Sequence, residues 1–178
     1  VLIITPVNEE GVVPIVRKAK AEGMPLVFEG SPVKGMTTLF AICDYDAGYK
    51  AGDQVGKILK QRGVAEARVM DVGLPMLSST VLRSLGFMEG VAKHVKATKV
   101  HDLDGSGMID RSVEVASAAL AKDSNVNVIY GINDGSALGG LQAWRAAGLS
   151  EDDLVVAGTG SEGLAFLNEM TKPGTPYL

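Results

Sequence analysis

Polar side chains that could bind a ligand stand directly after two predicted strands. Asn133 and Asp134 follow the apolar run 126–130, and a helix with apolar positions at 3.6-residue spacing comes after them. Glu29 follows a strand predicted at residues 25–28. Open α/β sheets bind polar ligands at the carboxyl ends of their strands, where the next helices begin. The pattern indicates a hydrogen-bonding site, with the alternative that Asp134 merely caps its helix.

A second group of candidates lies at the start of a helix predicted from residue 78 onward. Ser78, Ser79 and Thr80 are its candidate N-caps. Its predicted buried stripe consists of Val81, Leu85, Met88 and Ala92. Arg83 lies off this stripe in the first turn. A lone arginine at such a place is usually an ordinary solvated residue on the protein surface.

A glycine-rich loop offers a different chemistry. Residues 158–163, Gly-Thr-Gly-Ser-Glu-Gly, match the G-x-G-x-x-G pattern of dinucleotide-binding loops and lie between a predicted strand and a helix predicted from Ser161. That fingerprint belongs to the first unit of a Rossmann domain, whereas several units precede it here. The acidic ribose partner, expected about 20 residues further on, would lie at or beyond Leu178. An NAD-dependent enzyme is therefore an alternative interpretation.

No metal site is expected. Residues 102–110 match a calcium-binding EF-hand loop through its ninth position. The twelfth position, which needs a bidentate glutamate, is Val113, and Glu114 comes one residue late. A short strand precedes the loop, not a helix. We therefore predict that calcium does not bind here.

Catalytic patterns are equally weak. His94 and His101 lie in or beside surface-like segments, and Cys43 ends an apolar strand. A loop similar to Walker A at residues 30–37 has Met36 where the lysine must be. No residue pattern indicates an enzyme, and no cofactor is predicted.

The elements that position these residues follow a regular order. Strands are predicted at residues 1–4, 25–28, 37–43, 67–72, 99–101, 126–130 and 154–157. Helices are predicted between them, the longest at residues 44–61 with Gly63 as its stop. Strands that alternate with helices predict an α/β protein whose parallel sheet is covered on both faces.

Composition excludes several classes of function. With 17 basic and 21 acidic residues the net charge is −4, and no run of like charges offers a basic patch to nucleic acid or an anionic bilayer. No apolar run approaches the about 18 residues that a transmembrane helix needs. The single cysteine excludes an internal disulfide and leaves the cellular compartment open.

Five stretches together resemble a known family. They are LIITPVNEEGVVPIVRKAKAEGMPLVF, CDYDAGYKAG, SSTVLRSLGFMEGV, VIYGINDGSALGGLQAWRAAG and LVVAGTGSEG. In order and spacing they resemble the type I periplasmic solute-binding proteins, especially the ribose-binding branch. The resemblance implies that family's fold: Rossmann-like parallel sheets with helices on both faces, in two lobes joined by a hinge.

The resemblance also implies how the lobes divide the chain. Residues 1–43 resemble the second half of the first lobe, and residues 44–178 resemble most of the second lobe. The hinge crossing falls at Cys43, Asp44 and Tyr45. The family's opening strands, its closing return to the first lobe and its signal peptide have no counterpart in this sequence, which is therefore expected to be a fragment.

Ligand residues carry over from the family one by one. Arg83 in RSLGF matches its ligand-binding arginine, and Asn133 in IND matches its asparagine. Glu29 matches the first-lobe acid within one position, and Ser79 matches a small residue that lines the pocket. Asp134 is expected to cap its helix more than to touch the ligand.

Two positions depart from the family. Met108 stands near its aromatic stacking position. Gly158-Thr159-Gly160 replaces its usual Gly-aromatic-Asp, which implies a ligand other than ribose.

The resulting prediction is a non-enzymatic, periplasmic or extracytoplasmic protein. It would capture a small sugar, polyol or sugar derivative by closure of its cleft and deliver it to a membrane ABC permease. The alternative within the same fold is the sensing core of a lac-repressor-type regulator. The usual Gly-His of those regulators is absent, since Val64 follows Gly63.

Overall fold

The computed structural model describes residues 1–160 and 163–178, in which strands and helices alternate along most of the chain. The strands are β1 (Leu2–Ile4), β2 (Leu26–Glu29), β3 (Thr38–Phe40), β4 (Glu66–Gly73), β5 (Lys96–Asp104), β6 (Val128–Gly131) and β7 (Val155–Gly158). The helices are α1 (Val13–Ala21), α2 (Asp44–Gln61), α3 (Ser78–Ala92), α4 (Ile109–Leu120), α5 (Asp134–Ala146) and α6 (Leu164–Met170). The predicted start of the last helix, Ser161, lies outside the described residues.

The strands form two separate sheets, and the strand pairs in both are parallel. The first sheet has the order β1-β2-β3, and the second has the order β5-β4-β6-β7. The chain passes from the first sheet to the second through residues 41–43 and α2. Because parallel strands end at the same edge of their sheet, the loops after β4, β5, β6 and β7 lie side by side. The predicted α/β class is confirmed.

Helices cover both faces of the second sheet. On one face, residues from α2 and α3 pack against alternate strand residues; this core includes Val55, Leu59, Val69, Phe87, Val91, Val128, Tyr130 and Val155. On the other face, the core from α4, α5 and the strands includes Met70, Val72, Ala116, Ile129, Leu141, Trp144 and Val156. Such burial on both faces explains why β6 and β7 are almost continuously apolar. The first sheet has its own smaller core around Val16, Leu26 and Phe28.

Glycines bring α2 and α3 into unusually close contact. A Cβ atom added at Gly52 would lie 2.1 Å from the carbonyl oxygen of Phe87. A Cβ atom added at Gly86 would lie 2.1 Å from the carbonyl oxygen of Tyr45. No side chain fits at such distances, so the absence of a Cβ at both positions is what permits the two backbones to meet.

This packing reverses the predicted orientation of α3. Val81 and Leu85, predicted to be buried, are 47% and 48% exposed. The buried face instead carries small residues with two large ones, namely Ser79, Thr80, Ser84, Gly86, Phe87, Gly90 and Val91. The prediction was wrong because it followed the large apolar side chains, whereas the glycines determine which face meets α2.

Within the part of the chain that the structure describes, no helix is both long enough and apolar enough to cross a membrane.

Candidate functional site

The loop after β2, which follows Glu29, contacts the start of α3 at Ser79. Glu29 ends β2 and its side chain is exposed. Two residues later, Oγ of Ser31 lies 2.8 Å from Oγ of Ser79, and both serines are buried. This hydrogen bond joins the loop after β2 to the first turn of α3. Glu29 lies two residues before this contact, and among the described residues its side chain has no recorded contact with Ser79, Arg83 or Asn133.

A second contact between the sheets involves Glu9, which the sequence analysis did not single out. Its carboxylate oxygen Oε1 accepts hydrogen bonds from the backbone N–H of Ser78 at 3.0 Å and from its hydroxyl at 2.6 Å. The helix begins after Leu77 and has no side-chain cap of its own. The prediction that Ser78, Ser79 or Thr80 caps α3 was therefore wrong, and a carboxylate from the loop after β1 meets the helix N-terminus.

Arg83 lies one helical turn after Ser79, on the same side of α3. Its Nε donates to Oδ1 of Asp44 at 2.5 Å, and its Nη1 donates to the carbonyl oxygen of Ile132 at 3.0 Å. Asp44 is 6% exposed, and the Arg83 side chain is 22% exposed. The alternative of a solvated surface arginine was therefore wrong.

These contacts fix the guanidinium plane and leave part of it available. A guanidinium has five N–H donors, of which two are used by Asp44 and Ile132. Among the described residues, Nη2 of Arg83 makes no hydrogen bond. Two N–H groups on Nη2 and one on Nη1 can therefore donate to a ligand.

Asn133 is both a helix cap and a tie between two loops. Its Oδ1 accepts from the backbone N–H of Ser136 at 2.9 Å, and its Nδ2 donates to the carbonyl oxygen of Gly107 at 2.9 Å. The expectation that Asp134 caps α5 was wrong, because Asp134 is the first helical residue and is 3% exposed. The Asn133 amide keeps a second N–H and a second lone pair with which it can bind a ligand hydroxyl.

Tyr130 and Thr159 form a pair of hydroxyl groups at the carboxyl ends of β6 and β7. The Tyr130 ring stacks on Phe87, with ring centroids 3.9 Å apart, and its hydroxyl oxygen lies 2.8 Å from Oγ1 of Thr159. Burial raises the pKa of the Tyr130 phenol above its ordinary value, and the charges of Arg83 and Asp44 are close enough to influence it. The phenol is therefore protonated at neutral pH.

The glycine-rich loop does not suit a dinucleotide. A Cβ at Gly160 would lie 3.0 Å from Oδ1 of Asp134, and a Cβ at Gly158 would lie 2.4 Å from the Tyr177 hydroxyl. Close packing therefore explains why both residues are glycines. In addition, the buried carboxylate of Asp134 lies against the position where the pyrophosphate of a dinucleotide would have to bind. Ser161 and Glu162 of this motif lie outside the described residues.

One of two cavities lies beside predicted site residues. A cavity of about 420 Å³ opens beside Asn133 and Asp134 and is also lined by Gly107, Met108 and Asp110. A cavity of the same size lies on the outer side of α3, against Lys99 and Asp102, away from Arg83 and Asn133. Residues 1–160 and 163–178 contain no group of three or more His, Cys, Asp or Glu side chains that could hold a metal ion.

The three predicted hinge residues differ in backbone conformation and in their contacts. Cys43 is exposed and extended, at the N-cap position of α2. Asp44 and Tyr45 are already helical, and Asp44 is held by Arg83. The hinge remains a prediction, and residues 41–43 are the non-helical part of the crossing.

The sequence matches a known family model over nearly its whole length. Residues 1–175 match the model described as a periplasmic binding protein domain. A curated relative, the ribose import binding protein RbsB of Escherichia coli (strain K12), is 28% identical over 164 residues. That alignment covers 89% of this chain and 52% of the relative, so the chain spans about half the length of the protein it matches.

Solved structures share the fold. An ABC transporter solute-binding protein from Mycobacterium smegmatis with bound glycerol superposes with a TM-score of 0.78 at 23% identity. One from Bacillus halodurans C-125 with bound myo-inositol gives a TM-score of 0.74 at 21% identity. In both comparisons, 88% of this chain covers 54% of the other.

Proposed function

This chain belongs to the periplasmic binding protein family, whose members bind solutes and are not enzymes, and from that premise we propose that it captures a small neutral sugar, polyol or sugar derivative. The ligand would lie between the loop after β2, which carries Glu29, and the second-sheet residues Ser79, Arg83 and Asn133. Glycerol, myo-inositol and ribose, which appear in the names of related proteins, are the first candidates for its chemical class.

The observation that carries this proposal is the arrangement of Arg83. Its guanidinium is held from one side by Asp44 and Ile132 and keeps three N–H donors. Because Asp44 already balances the positive charge, a carboxylate or phosphate on the ligand would gain little from Arg83. Adjacent hydroxyl groups of a neutral compound suit a planar set of free donors, and Asn133 can both donate to and accept from such groups.

Capture would proceed by closure of the two lobes around the ligand, with residues 41–43 and the start of α2 as one crossing between them. Closure of this kind changes backbone angles in a few linker residues and does not repack either core. The loaded protein would deliver its ligand to a membrane ABC permease, which places it in the periplasm or outside the cytoplasmic membrane. No cofactor is required for this role.

Small-angle scattering tests the closure directly. The protein that contains this chain should show a smaller radius of gyration when saturated with its sugar or polyol, while NAD should produce no change. Residues 1–178 alone should bind weakly or not at all, since they provide one complete wall of the cleft. If residues 1–178 bound the sugar as tightly as the longer protein, the binding site would lie within the second sheet alone.

The regulator alternative shares this fold and would bind a similar ligand. The protein sequence that precedes this chain distinguishes the two, since an export signal would fit the transport role and a helix-turn-helix domain would fit a regulator.

A further inference from the structure

Two loops of the first sheet contact the same helical turn beside the second sheet. Glu9, in the loop after β1, accepts hydrogen bonds through Oε1 from the backbone N–H of Ser78 at 3.0 Å and from its hydroxyl at 2.6 Å. Ser31, in the loop after β2, has its Oγ 2.8 Å from that of Ser79. Loops at the carboxyl ends of both sheets therefore meet at the first turn of α3, one turn before Arg83.

The first turn of α3 needs a partner from elsewhere, because it has no cap of its own. Leu77 stands at the N-cap position, which has no side-chain hydrogen bond. The N–H of Val81 donates to the carbonyl oxygen of Leu77, whereas the N–H of Ser78, at the first helical position, has no partner inside the helix. A carboxylate satisfies this donor and is also favoured by the positive end of the helix dipole.

The loop that carries Glu9 is held in shape by its neighbour Asn8. Oδ1 of Asn8 accepts hydrogen bonds from the backbone N–H groups of Glu10 and Gly11, both at 3.0 Å. This turn fixes the backbone around Glu9, so its carboxylate needs little further ordering to reach Ser78. Glu10, by contrast, is exposed, and its side chain makes no hydrogen bond or ion pair among the described residues.

From this geometry we propose that Glu9 is a positioning residue that stabilises the closed arrangement of the two lobes by capping α3 across the cleft, a role that rests on the proposed capture of ligand by closure. Glu9 and Ser78 are 69 residues apart in the chain and belong to different lobes. A motion that separates the lobes breaks both hydrogen bonds. An interaction made only in the closed state favours that state and lowers the Kd of every ligand by the same factor.

This role differs from that of a ligand contact. A residue that touches the ligand changes the relative affinities of different ligands, whereas a residue that acts on closure changes all of them equally. Closure also retains the ligand once it is bound. Loss of the contact should therefore act mainly by raising the dissociation rate, koff.

The test measures Kd by calorimetry and koff by stopped-flow fluorescence in the protein that contains this chain, with ribose, arabinose, glycerol and myo-inositol as probes. Glu9→Ala should weaken binding about 5-fold for each probe that binds, through a higher koff. Glu9→Gln keeps an acceptor oxygen and loses the charge, so it should weaken binding less. Glu10→Ala is the matched control and should bind as wild type.

Ser78 completes the test as a double-mutant cycle. Ser78→Ala removes the hydroxyl that donates to Glu9 and keeps the backbone N–H, so it should weaken binding less than Glu9→Ala. In the Glu9→Ala background it should have no further effect, because its partner is already absent. Amide hydrogen exchange in the ligand-free protein follows the contact without a probe. The Ser78 N–H should exchange faster in Glu9→Ala than in Glu10→Ala.

A Glu9→Ala variant that unfolds more easily in urea but binds every probe with the wild-type Kd would reduce Glu9 to a local cap. That result would overturn the inference while the proposed function stood. A changed ratio of Kd values between probes would also overturn it, by showing that Glu9 touches the ligand. If wild type bound none of the probes, the proposed function would fall, and equal exchange rates of the Ser78 N–H in Glu9→Ala and Glu10→Ala would overturn the role of Glu9 as well.

Discussion

Nε of Arg83 lies 2.5 Å from Oδ1 of Asp44, so a cation at the edge of the second sheet is paired with a carboxylate from the first turn of α2. Asp44 was predicted as part of the hinge, and its hydrogen bond from Arg83 gives it a second role. It sets the plane in which Arg83 presents its remaining donors. Since α2 follows directly on residues 41–43, this ion pair lies next to the segment that joins the two sheets.

Replacement of Asp44 by asparagine should therefore weaken ligand binding without removing a group that touches the ligand. The amide cannot balance the charge of Arg83, and the guanidinium becomes free to rotate. We expect a loss of about 1–2 kcal/mol in affinity, roughly 5- to 30-fold in Kd by calorimetry. Asp46→Asn is the control, since Asp46 pairs with Lys50 on the exposed side of the same helix. Equal affinities for the two variants would contradict the assignment.

Two variants of Asn133 separate its role as a cap from its role as a donor. Asn133→Ala removes the acceptor for the Ser136 N–H and should lower the free energy of unfolding by about 1 kcal/mol. Asn133→Asp keeps a capping oxygen and loses the hydrogen bond to Gly107, so the decrease in its free energy of unfolding, measured by urea titration, should be smaller. Both should weaken sugar binding. Equal stability of Asn133→Ala and wild type would show that this cap contributes nothing.

The contact between α2 and α3 predicts a graded series of alanine variants. Gly52→Ala would place a Cβ 2.1 Å from a backbone carbonyl oxygen, and the helices must separate, which should cost about 3 kcal/mol or more. Gly56→Ala would place its Cβ 2.9 Å from a side-chain carbon of His94 and 3.0 Å from the carbonyl oxygen of Val91, both longer than at Gly52, and should cost less. Gln54→Ala, on the exposed side of α2, should change stability by less than about 0.5 kcal/mol. Chemical denaturation would contradict the close packing if Gly52→Ala were as stable as Gln54→Ala.

Glu169 should make stability depend on pH in the acid range. Hydrogen bonds from Arg145, opposed by burial and aided by Lys172, lower the pKa of its carboxyl group from 4.5 to about 2. A carboxyl group whose pKa is lowered in the folded state stabilises the fold above its unfolded pKa, and this contribution is lost as the pH falls from about 4.5 to about 2. Glu169→Gln should make the free energy of unfolding nearly independent of pH in this range. It should also lower the free energy of unfolding at neutral pH by about 1–3 kcal/mol.

Glu114→Gln is the matched control for that experiment. Glu114 forms an exposed i,i+3 ion pair with Arg111, and such pairs contribute little. Thermal denaturation of wild type and both variants between pH 2 and pH 7 makes the comparison. A stability curve for Glu169→Gln that parallels wild type would contradict the role of this carboxylate.

The sequence predicted best what depends on neighbours along the chain. The bounds of α2 at Asp44–Gln61 were correct because its apolar positions repeat with the helical period and Gly63 adopts the left-handed conformation that stops it. β5 was predicted at residues 99–101 and extends over Lys96–Asp104. It lies at the edge of its sheet with an irregular mixture of polar and apolar residues, so its length is set by pairing with β4 and not by its own pattern.

Contacts between distant parts of the chain could not be predicted in this way. Ser31 meets Ser79, and Glu9 meets Ser78, only once the two sheets are in place. The pairing of Arg83 with Asp44 depends likewise on the close packing of α2 and α3, whose glycines a pattern of apolar residues does not include. Asn133 was a candidate from the sequence because such sheets bind ligands where a strand ends and the next helix begins. Arg83 was a candidate only through its match to the family's arginine in RSLGF.

Calorimetric titration of wild type and Arg83→Ala with ribose, arabinose, glycerol and myo-inositol tests the central claim most directly. The substitution leaves Asp44 unpaired, so Arg83→Ala/Asp44→Ala is measured beside it to retain a stable fold. We predict that wild type binds at least one of these compounds and that both variants lose about 2–4 kcal/mol of that affinity, roughly 30- to 1,000-fold in Kd. An unchanged Kd in both variants would contradict the assignment of Arg83 to the ligand site.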